Sequence, residues 1–420
     1  MPIVLDLPLH RLPRVPVLLL GGVNLVRSLG LAGTPVVVAS HEADEPAFAS
    51  RYCVGRCVLP PLDQDAAIDA IVTIGDRLTS RYGRRVPLMY GSDDYLKLIY
   101  AHRERLQRYF LVLLNDHEVA EALLVKDAFQ SFAERRGLPV PPSLTWGGNG
   151  PESVLATSHP VVVKPSNKDG WHDSMLKKRL FHDAKALVFE SGARAAADPE
   201  LALFRGQLTV QRYIPGDDTC IWSFHGFADE KGVVLDSFVG RKLRTFPANT
   251  GESSFIELDH DDELAALGAD IAARLPLKGV FKMDFKKDPG TGRWYLLEIN
   301  ARFNLWHYLG TRNGVNLLGV AYEYMLEGRR PQRARDYRTD LRWLSFEYDL
   351  RAFLELRSRG ELGFVGWLAS LAGSRKVYNL FAWSDPGPWL SLWGHRFDRH
   401  LLRRSARLMT FLRQWRSTAS

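Results

Sequence analysis

The sequence predicts an α/β fold at its N-terminus and an α+β fold through its middle, and three observations carry that expectation. Residues 15–40, VPVLLLGG followed by NLVRSLGLAG and TPVVVAS, alternate strand, helix and strand, as a βαβ unit with a parallel pair does. Residues 160–300 instead run apolar strands into turn sequences such as Pro215-Gly216 and Asp288-Pro289-Gly290, which reads as antiparallel hairpins mixed with helices. A length of 420 residues with 46% hydrophobic and 25% charged residues is ordinary globular composition in a chain too long for one core, so two or three domains are expected.

The elements follow in order. The apolar run at the start is short, lies behind Arg14 and lacks a small-residue cleavage site, so it predicts a first strand and not a signal peptide. The Gly21-Gly22 turn lacks the rest of a G-x-G-x-x-G pattern and an acidic residue at the end of the second strand, which leaves a structural tight turn. DAAIDAIVTIGDRLTSRYG is an amphipathic helix, and VPLMYGSDDYLKLIYAHRERL a strand, polar turn and helix. DHEVAEALLVKDAFQSFAERRG gives helices closed by Gly137, and LPVPPS is a connector. PVVVKP, LTVQRYIPG, IWSFHGF, GVVLDSFVGRKLRTFP and GVFKMDFKKDPGTGRWYLLEIN are strands, DDELAALGADIAARL and GVNLLGVAYEYMLEG helices. The organisation expected is an open α/β domain at 1–115, lobes at 116–205 and 206–330, and a basic Trp- and Arg-rich extension at 331–420.

Charge and cysteines narrow the setting. A net charge of +7 and a pI near 9.2 favour anionic partners without choosing among nucleotides, phosphorylated substrates and lipids. Three cysteines, Cys53, Cys57 and Cys220, are too few for a disulfide framework and suit a reducing, cytoplasmic compartment. Cys53 and Cys57 have the spacing of half a zinc site, but no second ligand pair follows, so both read as small packed thiols. No apolar run reaches transmembrane length; GFVGWLASLAG is too short and broken by glycine.

Four features then line up along the middle of the chain. Lys164 closes the apolar strand PVVVKP, where an ammonium needs an anionic partner. VQRYIPGDD runs a strand into a Pro-Gly bend that offers backbone groups, with Asp218 beyond it. In GVFKMDF, period-two geometry puts Lys282 and Asp284 on one face. In LLEINAR the same geometry aligns Glu298, Asn300 and Arg302. Asp284, Glu298 and Asn300 supply the oxygen ligands that Mg²⁺ takes when it also binds phosphate.

This ordered set resembles the ATP-grasp ligases, and residues 1 to about 330 follow that pattern. GGVNLVRSLGLAG, LVKDAF, GRKLRTFP and AWSDPGPW are similar to the carbamoyl-phosphate-synthase-like branch of carboxylate–amine ligases. The resemblance implies an ATP-grasp fold, with two α+β lobes clasping ATP behind the open parallel α/β domain and a helical basic extension at the C-terminus. It implies that Lys126 and Lys164 contact phosphate, that Gln211 and the backbones of Arg212 and Ile214 meet adenine, and that Asp218 binds ribose. Asp284, Glu298 and Asn300 match Mg²⁺ ligands, with Mn²⁺ able to substitute; Lys282 would lie over the transferring phosphate and Arg302 beside an acyl-phosphate. Arg241 and Arg244 would be available to phosphates or a substrate carboxylate. The implied reaction joins a small-molecule acid, such as D-aspartate, to an amine, with nucleic acid playing no part.

Two departures mark the chain. The loop 165–175, expected to cover the phosphates through Lys168 and backbone amides, holds one glycine, Gly170, where the family has several, and Ala301 stands where proline is frequent. The thinned loop supports the alternative of a non-catalytic nucleotide-binding regulatory or scaffold protein; use of the site as a kinase is a third reading. For the base that deprotonates the amine, His307 and Asp173 are candidates, His307 being equally suited to packing. The tail HRFDRHLLRRSARLMTFLRQWRS has a helical pattern with one apolar and one basic face. Docking of its apolar stripe on the body is the favoured reading, with contact to the anionic inner face of a membrane as the alternative.

Overall fold

The computed structural model describes residues 4–7, 14–124, 126–147, 152–166, 176–182, 184, 186–331 and 336–394. The chain divides into two compact units, residues 1–111 with 379–420, and residues 112–378.

The first unit is built on a six-stranded sheet of β1 (Val4–Asp6), β2 (Val17–Leu20), β3 (Val36–Ser40), β4 (Cys53–Val58), β5 (Val86–Tyr90) and β6 (Phe110–Leu111), in the order β1-β4-β3-β2-β5-β6. All neighbours are parallel except the edge strand β1, which runs antiparallel to β4. Every residue of β2, β3 and β5 is buried, as uninterrupted apolar runs are when helices cover both faces of a parallel sheet. Helix Asp65–Tyr82 buries Ile68, Ile71, Ile74 and Leu78 at helical spacing and stops at Gly83, whose φ of 65° is the left-handed cap expected of glycine. Cys57 is buried in β4 with its thiol pushed up to about 12 by burial, so it is an inert packed group.

The second unit holds two sheets, antiparallel throughout except for the parallel edge pair of the larger one, Leu341–Leu344 with Arg375–Tyr378. The smaller is β7 (Ser143–Leu144), β8 (Val161–Pro165), β9 (Leu187–Phe189) and β10 (Leu208–Arg212), ordered β7-β10-β8-β9. The larger contains β11 (Ile221–Ala228), β12 (Val234–Phe246), β13 (Glu252–Asp259), β14 (Gly279–Lys287), β15 (Trp294–Asn300), β16 (Leu341–Leu344) and β17 (Arg375–Tyr378), ordered β15-β14-β11-β12-β13-β16-β17. One face of its β15-β14-β11-β12 half is apolar: Phe224, Phe281, Met283, Phe285, Leu296 and Ile299 pack with Phe129, Phe132, Leu264 and Ile271 from covering helices. The alternate residues face the other way and make the candidate site.

The C-terminal extension departs from the expected single helical piece. Residues 341–378 contribute β16, β17 and the helices Phe346–Ser358 and Phe364–Leu371 to the second unit, whereas 379–394 belongs to the first. The reason is pairing: Phe255 and Glu257 of β13 stand opposite Leu344 and Arg342, so β16 extends the sheet. The basic tail and most of the 165–175 loop, with Lys168 and Asp173, lie outside the described residues.

Candidate active site

Strand register assembles the site. Asp284 stands directly opposite Glu298, and Lys282 opposite Asn300, across the antiparallel β14–β15 pair. On the other side of β14, Asp284 faces Ser223 and Lys282 faces His225 of β11. Directly opposed residues share a face, so all six project together. A bulge on β15 at Leu297 keeps Leu296 with the core while holding Glu298 in line with Asp284.

The contacts are short and polar. Lys282 Nζ donates to Asp284 Oδ2 at 2.8 Å and lies 5.2 Å from the centre of the Trp306 ring. Ser223 Oγ donates to Asp284 Oδ1. Asn300 Nδ2 donates to Glu298 Oε1 at 3.1 Å. Burial holds the Lys282 ammonium below its usual range, opposed by Asp284 and deepened by Lys242. Two carboxylates set directly opposite each other repel, and a cation relieves that repulsion. With the Asn300 amide they form a hard-oxygen set that fits Mg²⁺. Among the described residues no group of three or more His, Cys, Asp or Glu could hold a metal ion, so the amide and ligand oxygens would have to complete the shell.

The smaller sheet supplies a second polar group. Lys164 Nζ donates to Gln211 Oε1 at 3.0 Å; Gln211 Nε2 donates to Gln130 Oε1 at 2.5 Å, and Gln130 Nε2 donates to Pro141 O at 2.9 Å. Gln211 is thus fixed by its neighbours, next to the lysine. The Arg212 N–H is taken by Pro142 O, and Ile214 is buried just beyond the strand. Lys126 begins the helix Lys126–Arg135. Lys286 lies 4.6 Å from the centre of the Tyr213 ring; burial depresses its ammonium, Cys220 and Asp218 oppose this and Lys164 adds to it.

Several expected residues sit differently. Asp218 is buried, and its oxygens accept from Thr245 N at 2.7 Å and Thr245 Oγ1 at 2.9 Å, so it braces the hinge against β12; the exposed carboxylate at this turn is Asp217. Arg241 stands opposite Trp222, one register step from Ser223, and therefore projects from the face opposite Asp284. Its Nε donates to Glu257 at 2.7 Å. Arg244 is committed to a buried ion pair with Asp349, through Nε at 2.7 Å and a terminal nitrogen at 3.1 Å. Neither arginine joins the Lys282 cluster. Arg302 is half-buried beyond β15, near enough to His307 to oppose its protonation. His307 itself is fully buried, bonded to Asn304 through Nδ1, and held down at about 3 by burial, so it is a packed neutral ring and not the base.

Three contributors went unread in the sequence: Ser223, Lys242 and Lys286. Lys286 continues the period-two series of Lys282 and Asp284, a signal that was present. Ser223 and Lys242 enter only through the pairing of β11 with β14 and β12.

No family model matches the chain. It is 27% identical over 277 residues to the D-aspartate ligase of Enterococcus faecium, a match covering 62% of this chain and 63% of that protein, less than two thirds of its length. Among solved structures it superposes on the L-amino acid ligase from Bacillus licheniformis with a TM-score of 0.50 at 16% identity, over 75% of this chain and 74% of that one. The N5-carboxyaminoimidazole synthetase from Staphylococcus aureus complexed with ADP gives 0.54 at 12%, over 77% and 80%. Biotin carboxylase from Campylobacter jejuni gives 0.54 at 13%, over 78% and 74%. At these identities the structural likeness speaks to fold alone.

Proposed function

We propose that this chain, whose fold is that of the ATP-grasp ligases, joins a carboxylate to an amine with ATP as the phosphoryl donor. The observation that carries the reading is the cross-strand quartet Lys282, Asp284, Glu298 and Asn300 in a chain similar to D-aspartate ligase.

A carboxylate resists amines near neutral pH because oxide is a poor leaving group. In the proposed reaction a carboxylate oxygen attacks the γ-phosphorus and ADP departs, leaving an acyl-phosphate. The amine nitrogen then attacks the acyl carbon, the C–O bond breaks, phosphate departs and the nitrogen loses a proton. Such chemistry asks for positioning and charge neutralisation. Mg²⁺, held by Asp284, Glu298 and Asn300, would offset phosphate charge when bound. Lys282, held by Asp284 and seated over Trp306, would offset charge on the transferring group. Lys126 and Lys164 would contact phosphate, with Lys286 adding charge near Lys164 and Lys242 near Lys282. Gln211 and the backbone at 212–214 line the adenine side, and Arg302 steadies the oxyanion of the second step. Similarity to D-aspartate ligase supports an amino-acid substrate of that class.

The test is ADP release from the full chain with Mg²⁺-ATP over a matrix of carboxylates and amines, both amino-acid enantiomers included. ADP appearing only when one acid and one amine are both present is the expected result. ATP bound but never turned over would overturn it in favour of a nucleotide-binding regulatory protein, and a phosphorylated hydroxyl product would make it a kinase.

A further inference from the structure

Past β17 the described chain ends in an aromatic surface that has no part in the candidate active site. Its base is rigid. Asp385, 1% exposed, accepts from Arg27 Nε at 2.9 Å, Ser50 Oγ at 2.8 Å and Arg51 N at 2.8 Å. A terminal Arg27 nitrogen donates to Leu380 O and Asp385 O, and Asn24 donates to Asn379. Gly387 follows so closely that an added Cβ would lie 2.0 Å from Ala49 O. From this anchored segment Trp383 stands 89% exposed, and the helical residues 387–394 leave Leu390 and Trp393 more than half exposed. Phe381 meets Trp383 and Trp389 edge-on at 4.8 and 5.7 Å, and Trp389 meets Trp393 at 6.0 Å, so the rings form one array.

The sequence that follows completes the argument. Residues 395–420 contain seven arginines and one aspartate, a net charge of +6 out of the +7 of the whole chain. The net charge of the protein therefore lies almost wholly in the stretch of sequence that follows the aromatic surface. Tryptophan rings prefer the headgroup level of a bilayer, and arginines are drawn to anionic lipid. Binding at a membrane surface scales with the apolar area buried plus the electrostatic attraction to anionic lipid, so the two features act together.

We propose that the Trp383–Leu390–Trp393 surface, with the arginine-rich stretch after it, docks the protein on an anionic lipid bilayer. The rings enter the interface from a fixed base, and the arginines meet the headgroups. A nucleic acid would satisfy the arginines alone and leave Leu390 and the tryptophans without an apolar partner. The inference is independent of the ligase reading, because vesicle binding needs neither nucleotide nor turnover.

The test is co-sedimentation of the full chain with phosphatidylcholine vesicles and with phosphatidylcholine–phosphatidylglycerol vesicles, alongside tryptophan quenching by brominated lipid. Binding is expected to the anionic vesicles, with quenching, and to fall when salt rises from about 0.1 M to about 1 M as the Debye length shrinks from about 10 to about 3 Å. The W383A/W393A double variant should lower the partition coefficient on the order of ten-fold or more, with its melting temperature as a control on folding. W383S alone, at an exposed position, keeps the test available should the double variant misfold. Failure of the full chain to bind anionic vesicles would overturn the proposal. So would undiminished binding by the tryptophan variants, or tighter binding to double-stranded DNA than to vesicles, each of which would reduce the tail to a polyanion contact.

Discussion

Two buried aspartates, Asp284 on the seven-stranded sheet and Asp349 on the helix Phe346–Ser358 packed against it, hold cations in different ways. Asp349 is fully buried and accepts from two Arg244 nitrogens, from Trp367 Nε1 at 2.8 Å and from Ser254 Oγ at 3.4 Å, while a third Arg244 nitrogen donates to Ser370. That pair is closed, with charge matched and lone pairs satisfied. Asp284 is also buried and holds Lys282, but it stands directly across from a second carboxylate, Glu298. A closed pair fixes a helix to a sheet. A pair that sets two carboxylates directly across from each other beside one lysine is suited to receive a further cation.

The predictions test that contrast in descending size. Glu298→Ala should lower ligase turnover about a thousand-fold while leaving the melting temperature unchanged or slightly higher, because it removes a repulsion as well as a ligand. Coupled ADP release and a thermal melt check both halves; a fall in stability matching the fall in rate would make Glu298 structural. Asp349→Ala should do the reverse and cost about 3–5 kcal/mol of stability by leaving Arg244 buried without its carboxylate, read by urea denaturation. If that variant keeps wild-type stability, the pair is not closed in the sense argued.

Acid should act on two buried rings packed together on the site face of the sheet. His225 and His307 are fully buried and held well below 6.5, His307 at about 3. The unfolded chain binds protons there first, so stability is intact above about pH 6.5 and falls as pH drops toward about 3, by about 1.4 kcal/mol per pH unit for each ring. Denaturation midpoints at several pH values measure the slope, and H307F should make it shallower; an unaltered slope would place the acid sensitivity elsewhere.

Neighbours on β12 give the finest test. Lys242→Ala should raise the KM for ATP on the order of ten-fold, the loss of one charge-assisted contact. Arg241→Gln, one residue away on the opposite face, should change it by no more than about two-fold. Steady-state kinetics on the two variants decide it, and equal effects would remove the assignment by strand parity.

That assignment also marks how far the sequence could be read. The buried parallel strands were plain because Leu18-Leu19-Leu20 and Val36-Val37-Val38 are unbroken apolar runs. Asp284, Glu298 and Asn300 were readable because one hairpin brings them together and local alternation tells their face. Arg241 and Arg244 were misread because their side of the sheet depends on pairing. The register shift between Lys242 and Arg244 sends these two residues, two apart, to opposite faces, which no local pattern records. β16 was hidden for a related reason. Residues 341–344 lie at the end of an arginine-rich stretch, and pairing with β13 and β17 makes them a strand.

The Arg27–Asp385 contact has a consequence for the order in which the molecule is made. The six-stranded sheet is synthesised first, yet a helix beneath its surface carries a buried guanidinium whose carboxylate comes 358 residues later. At about 5–20 residues per second, that partner emerges roughly 20–70 s after Arg27. The second unit, encoded between them, has left the ribosome by then. The domain at the start of the chain is therefore among the last to be finished, and a ribosome stalled before residue 385 would release it with its arginine waiting.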